Sequence, residues 1–175
     1  MPKIKQIHCC FIVVLAVIFF INPATAENAS NRLEDESLIR DTLKKYTMFI
    51  DDRRINDWLD LFIKDAVYNV VSQNHVGHEE ILKNVLGDPN SESTLVHMAF
   101  PAVIEMQSAN EALAWSKFIV VRKESEGNFP AQSIKYMGRY HDRLVKSADG
   151  RWRFASRQAF VHGHKNKNTY LQPQK

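Results

Sequence analysis

The 175-residue chain has only two cysteines, and both, Cys9 and Cys10, lie in its first 26 residues. The rest of the chain therefore has no thiol. This excludes disulfides, thiol nucleophiles and thiolate metal sites from residue 27 onward. Stability must come from an apolar core, which a chain of this length can supply.

Glycine is also scarce, and its six copies are never clustered. The sequence has no phosphate-cradling loop, no dinucleotide fingerprint and no G-x-S-x-G elbow. These absences disfavour nucleotide cofactors and serine hydrolysis, and the chemistry considered below needs no cofactor.

Charge of one sign is not in large excess, with 23 Lys+Arg against 20 Asp+Glu. Two of the positive residues, Lys3 and Lys5, fall in the N-terminal segment. A protein that binds nucleic acid by counterion release needs a basic stripe, and none is present. We therefore expect no nucleic-acid partner.

The N-terminus has the pattern of an export signal. Lys3 and Lys5 precede an apolar run from Cys9 to Ile21, which is shorter than the roughly 20 residues that span a bilayer. Small residues at Ala24 and Ala26 fit a cleavage site. We predict a cleavable signal peptide over residues 1–26 and an exported mature chain without a membrane partner; an uncleaved anchor is the alternative.

The residue pattern of the mature chain changes halfway, from helix-like to strand-like. Its first half predicts helices over 33–52, from Asn56 or Asp57 onward with Trp58, Leu61 and Phe62 buried, and over 78–86, with a short strand at 66–71. Glu27 to Arg32 reads as a loose lead-in, and the acidic residues 34–36 suit a helix N-terminus. Its second half predicts long strands over 94–107, 112–124, 133–147 and 151–162.

Asp149-Gly150 between the last two strands is a strong hairpin signal. Helices followed by hairpin-linked strands imply an α+β domain over residues 27–164, with a flexible polar tail at 165–175. We expect a curved antiparallel sheet packed on three N-terminal helices and enclosing a pocket.

Two residues are candidates for acid–base chemistry. His97 stands in an otherwise apolar strand, where a buried imidazole needs a partner. Asp51 follows Phe49-Ile50 at the end of the first helix, and a carboxylate pointing inward would orient that imidazole. The alternatives are a structural core histidine and a solvated helix end paired with Arg53 or Arg54.

The other histidines offer two close pairs, His75 with His78 and His162 with His164. Neither spacing matches a strong metal-ligand pattern. Surface histidines explain them more simply, so we expect no metal.

Longer motifs resemble the SnoaL-like superfamily, which shares the cone-shaped fold of nuclear transport factor 2. Within it, the motifs are nearest to scytalone dehydratase and to the β subunits of ring-hydroxylating dioxygenases. The residues that carry the resemblance are Tyr46-x-x-Phe49-Ile50-Asp51-Asp52-Arg53-Arg54, Asp57-Trp58-Leu59-x-Leu61-Phe62, Val85-Leu86-Gly87-Asp88-Pro89 with His97, Gly138-Arg139-Tyr140-x-Asp142 and Asp149-Gly150-x-Trp152-Arg153-Phe154.

The resemblance implies that Asp51 and His97 perform acid–base chemistry, as the matching pair does in the dehydratases. It places Arg122 where those enzymes carry a second histidine and His141 near a polar pocket position. Tyr46 or Tyr68 could hydrogen-bond a substrate oxygen.

The leading hypothesis is thus an exported dehydratase, isomerase or cyclase acting on a small apolar or hydroxy-carbonyl molecule. The rival is a non-catalytic exported domain that binds a ligand or a partner through the same pocket. Four apolar residues on the outer face of the sheet also predict a homodimer or trimer: Leu113, Trp115, Ile119 and Val121.

Overall fold

The computed structural model describes residues 23–86, 95–123 and 132–163. Its elements, in chain order, are α1 (Pro23–Asp51), α2 (Ile55–Leu59), β1 (Phe62–Val70), β2 (Gln73–Val76), α3 (Gly77–Ile81), a π-helical turn (Leu82–Leu86), β3 (Leu95–Ala99), β4 (Val103–Ser108), β5 (Glu111–Lys123), β6 (Gln132–Lys146) and β7 (Trp152–Val161). The predicted α+β class with three N-terminal helices is confirmed.

The seven strands form one curved, open sheet in the order β2-β1-β7-β6-β5-β3, and β4 also pairs with β5. Five of the six pairings are antiparallel, as predicted, but β1 and β7 run parallel. The antiparallel prediction was wrong for that pair because hairpin signals report only neighbours in sequence. β1 and β7 are the first and last strands along the chain, and no local sequence pattern indicates that they pair.

Helix α1 is longer than predicted and includes the expected lead-in at 27–32. The acidic residues 34–36 consequently lie within the helix and not at its N-terminus. Asp35 is buried, and hydrogen bonds compensate for the loss of water. Its Oδ1 accepts them from Trp152 Nε1 at 2.9 Å and from Lys146 Nζ at 2.7 Å. Those bonds and the Lys146 charge outweigh burial and lower the pKa of Asp35.

Helix α2 begins at Ile55 with Arg54 before it, so the predicted caps Asn56 and Asp57 lie inside the helix. The expected burial of Trp58, Leu61 and Phe62 is confirmed.

The long strand predicted over 94–107 is two strands, β3 and β4, placed end to end along β5. Pro101 lies in the gap between them. Proline has no N–H to donate to a ladder, which accounts for the interruption. The predicted hairpin at Asp149-Gly150 is confirmed, with Gly150 in the left-handed region at φ +79°.

Burial alternates along β5, whose inner face carries Ala112, Ala114, Ser116, Phe118 and Val120. That face, together with α1, encloses an aromatic core. Within the described ranges, no helix is both long enough and apolar enough to cross a membrane. Most of the predicted signal segment (residues 1–22) and the predicted tail lie outside the described residues.

Candidate acid–base site

A cavity of about 440 Å³ lies between α1, the inner face of the sheet and the π-helical turn. Its lining, as far as the structure describes it, contains no lysine, arginine or carboxylate. The lining residues are Tyr46, Ile50, Tyr68, Val70, Val71, Gln73, His75, Asn84, Val85, Leu95, His97, Phe118, Val120, Tyr136, Tyr140, Ala159 and Val161. The cavity suits a small and largely apolar ligand.

Asp51 and His97 meet at the edge of this cavity. Asp51 Oδ1 lies 2.6 Å from His97 Nδ1, and Asp51 Oδ2 accepts the backbone N–H of His97 at 2.8 Å. The side chains are 20% and 15% exposed. Asp51 is therefore neither a solvated helix end nor the partner of Arg54, which donates to Asp57.

The two hydrogen bonds fix both the tautomer and the orientation of the His97 ring. A carboxylate only accepts, so Nδ1 carries the proton and Nε2 keeps a lone pair in the neutral imidazole. His97 lines the cavity and Asp51 does not. An imidazole held in this way can accept a proton at Nε2, the nitrogen that does not contact Asp51.

Tyr46 and Tyr68 also reach the cavity, as predicted. Their hydroxyls lie 2.9 Å apart, with side chains almost fully buried. Burial raises the pKa of Tyr46, although the Arg157 charge opposes it, and burial raises the pKa of Tyr68 well above its ordinary value. Both hydroxyls consequently keep their protons; one proton is donated within the pair, which leaves the other for a ligand oxygen.

A second pair, formed by the carboxylate of Asp142 and the guanidinium of Arg157, supports these tyrosines from behind. Arg157 Nε and Nη2 each donate to Asp142 at 2.8 Å, and the guanidinium carbon lies 3.9 Å from the centre of the Tyr46 ring. Although burial opposes it, the Asp142 charge raises the pKa of Arg157. This pair holds the rings of the cavity wall in place.

His75 also lines the cavity, although no sequence pattern predicted it there. His75 pairs in register with Tyr68, so both side chains point to the same face of the sheet. It is 91% buried and has no hydrogen-bond partner among the described residues. The alternation of the β2 strand could have indicated this, but four residues are too few to distinguish strand from loop.

Two predicted substrate contacts are not among the cavity residues. Arg122 is exposed near the end of β5, opposite Leu95. His141 lies on the outer face, where its ring is 4.7 Å from that of Phe160. Its neighbour Tyr140 takes the inner position, because successive side chains of a strand alternate between faces.

The described histidines of the two pairs lie in separate surroundings. His78 Nε2 bonds the backbone oxygen of Phe62 at 3.1 Å, while His75 faces the cavity. His162 is exposed, and His164 lies outside the described residues. Across the described ranges, no three His, Cys, Asp or Glu side chains come together.

Comparison with solved structures places the fold in the nuclear transport factor 2 and cystatin-like group. An NTF2-like protein with a cystatin-like fold from Novosphingobium aromaticivorans has a TM-score of 0.70 at 17% identity, covering 82% of this chain and 92% of that one. A candidate scytalone dehydratase from the same organism has a TM-score of 0.63 at 18% identity, with coverages of 76% and 87%.

The β subunit of a candidate aromatic-ring-hydroxylating dioxygenase from that organism is also similar, with a TM-score of 0.60, 22% identity and coverages of 74% and 90%. The SnoaL-like domain family matches residues 31–158, and the chain belongs to this family. A sequence search of curated proteins finds no match.

Proposed function

We propose that this protein is a cofactor-independent enzyme that moves a proton on a small, largely apolar carbonyl compound. His97 is the base and Asp51 orients it. Dehydration, isomerisation and cyclisation of such compounds share one step, removal of a proton from the carbon beside the carbonyl. The observation that carries the proposal is the 2.6 Å contact of Nδ1 with Asp51, which leaves Nε2 to the cavity.

The tyrosine hydroxyls supply the complementary function. When His97 takes the proton, negative charge moves to the carbonyl oxygen. A hydroxyl from the Tyr46–Tyr68 pair can donate to that oxygen, because burial keeps both groups protonated. The apolar walls strengthen this interaction by excluding water.

The test is the exchange of the acidic C–H protons of 2-tetralone in D₂O, followed by NMR. This ketone is enolisable, and the exchange needs no second reactant. We expect the protein to accelerate the exchange, and His97→Gln to lower its contribution by roughly 10²–10⁴-fold. Asp51→Asn should lower it less, while the outer-face control His141→Gln should leave it unchanged.

Two outcomes would contradict the proposal. If 2-tetralone shifts the His97 amide resonance, and so occupies the cavity, but exchanges no faster than in buffer, His97 is not a base. Equal exchange rates for the wild type and His97→Gln would lead to the same conclusion.

A ligand-binding domain without catalysis is the second candidate. It is favoured by the other bond of Asp51, which satisfies the backbone N–H of His97 on the edge strand β3. That contact fastens the strand to α1 whether or not any proton moves. Binding of 2-tetralone that is unchanged in both variants, without exchange, would support this function.

We further propose export, with cleavage after Ala26. The support is the positive start, the apolar run and the small residues before the cleavage position. Cleavage would remove the first four residues of α1, which begins at Pro23. Mass spectrometry of the chain recovered from the periplasm of a bacterial host should show Glu27 as the first residue; retention of Met1 would contradict cleavage.

A homodimer or trimer through the outer sheet face completes the proposal. Ile119 pairs in register with Met98 and Met137, which are 45% and 42% exposed, and Val103 beside Trp115 is 64% exposed. An apolar surface of this kind favours association. Sedimentation should show an oligomer that Ile119→Lys dissociates, and a monomeric wild type would contradict it.

A further inference from the structure

A second cleft, separate from the cavity described above, opens between α1 and the segment that joins β3 to β4. Its volume is about 320 Å³. Tyr46 lines the first cavity and not this cleft, whereas Arg157, stacked behind Tyr46, lines this cleft and not the first cavity. The lining residues are Arg40, Leu43, Lys44, Thr47, Ala99, Phe100, Pro101, Ala102, Ser116 and Arg157.

The floor of the cleft holds one buried nitrogen atom without a partner, on Arg157, beside the hydroxyl group of Ser116. Arg157 has two guanidinium nitrogens bonded to Asp142, but no described residue accepts a hydrogen bond from Nη1. Ser116 is 91% buried, and no described residue hydrogen-bonds its hydroxyl. A buried donor such as Arg157 Nη1 is normally satisfied, so the floor is suited to an acceptor supplied by a ligand.

The mouth of the cleft is positive. Lys44 is exposed and makes no ion pair with any described residue. Arg40 donates from Nη1 to the backbone oxygen of Ala102 at 3.0 Å, which fastens the β3–β4 segment to α1. Three basic residues thus face the cleft, and the described lining contains no carboxylate.

The remaining walls are hydrocarbon, from Leu43, Phe100, Pro101 and Ala102. Phe100 is 49% exposed, which leaves its ring available to a ligand. The combination of donors at the floor, positive charge at the mouth and apolar walls matches an anion attached to an apolar body.

We propose that this cleft binds a monocarboxylate with an aromatic or aliphatic body. The carboxylate accepts hydrogen bonds from Arg157 Nη1 and the Ser116 hydroxyl, the body packs against Phe100 and Leu43, and Lys44 adds attraction at the mouth. This site is independent of the acid–base chemistry at His97 and holds whether or not the first cavity is catalytic.

The test is a titration of the full chain with phenylacetate, followed by amide NMR, with neutral phenylacetamide as the ligand control. We expect saturable shifts at Ala99, Ala102 and Ser116 and little change at His97. Phenylacetamide should bind roughly tenfold more weakly or worse, since it lacks the charge that strengthens hydrogen bonds to guanidinium.

Two variants probe the site without disturbing the Arg157–Asp142 pair. Ser116→Ala and Lys44→Ala should each weaken phenylacetate binding, the first by roughly tenfold because it removes a hydrogen bond to a charged group. The matched control is Lys45→Ala, which removes the same charge one residue away. Lys45 pairs with Asp41 and lines a different cleft. The Lys45→Ala variant should therefore bind phenylacetate with the affinity of the wild type.

Three results would overturn the proposal: phenylacetate shifts centred on His97, equal weakening by Lys44→Ala and Lys45→Ala, or no saturation at millimolar concentrations. Each result is measured on the folded wild type or on a variant whose amide spectrum shows that the fold is retained.

Discussion

Two hydrogen-bonded pairs, Asp142 with Arg157 and Asp51 with His97, each join a carboxylate to a basic side chain, and they differ in what surrounds them. Asp142 and Arg157 have side chains 0% and 2% exposed, with aromatic rings packed on the guanidinium. Asp51 and His97 are 20% and 15% exposed, and His97 lines the acid–base cavity. Neither member of the first pair lines the acid–base cavity, whereas His97 of the second pair does.

This difference in surroundings decides which pair can exchange a proton with a ligand in the cavity. A charged pair sealed by rings stabilises the wall, because neither member can change partner without leaving a buried charge. A pair at the edge of a cavity can exchange a proton with a ligand and be restored by solvent. Similar residue types therefore lie in different surroundings.

The largest expected effect comes from breaking the closed pair. Asp142→Asn leaves the Arg157 charge buried without compensation, and we expect it to lower the free energy of unfolding by about 3–5 kcal/mol. Urea denaturation measures this. The control is Glu111→Gln, which breaks an exposed pair with Arg143 at 2.6 Å and should change stability by less than about 1 kcal/mol. Equal effects of the two variants would remove the distinction.

A smaller effect is expected from the open pair. Asp51→Asn leaves a ring N–H and a backbone N–H competing for one carbonyl oxygen, and should cost about 1–3 kcal/mol. The same urea experiment applies. If Asp51→Asn destabilised the protein as much as Asp142→Asn, the Asp51–His97 pair would be as structural as the other.

The smallest effect concerns His141, next to Asp142 but on the outer face. Partial burial lowers the pKa of His141 below its ordinary 6.5; Arg139 lowers it further, while Asp142 opposes the shift. The unfolded chain then binds more protons than the folded one just below pH 6.5, so this contribution to stability is complete above pH 6.5 and falls on acidification.

His141→Phe should therefore flatten the pH dependence of stability below pH 6.5. The free energies of unfolding of the wild type and the variant, compared at pH 7.5 and at pH 5.5, measure the change. A wild type that becomes more stable relative to the variant on acidification would reverse the sign and contradict the assignment.

Much of the site followed from local sequence. The apolar setting of His97 and the position of Asp51 at a helix end were enough to nominate the pair, and the family resemblance supported it. Arg122 and His141 were nominated by matched positions alone. The structure puts Arg122 outside the cavity lining and His141 on the outer face, since the face of a side chain depends on strand alternation and register.

By itself, the sequence determined the class of fold, the number of helices, the last hairpin and the burial of Trp58 and Phe62, because these depend on periodicity and turn chemistry within a few residues. Only the tertiary structure decided the parallel β1–β7 pairing, the entry of His75 into the cavity and the second cleft with Arg157 at its floor. Each joins residues far apart in the chain, and such contacts are selected by packing of the whole core.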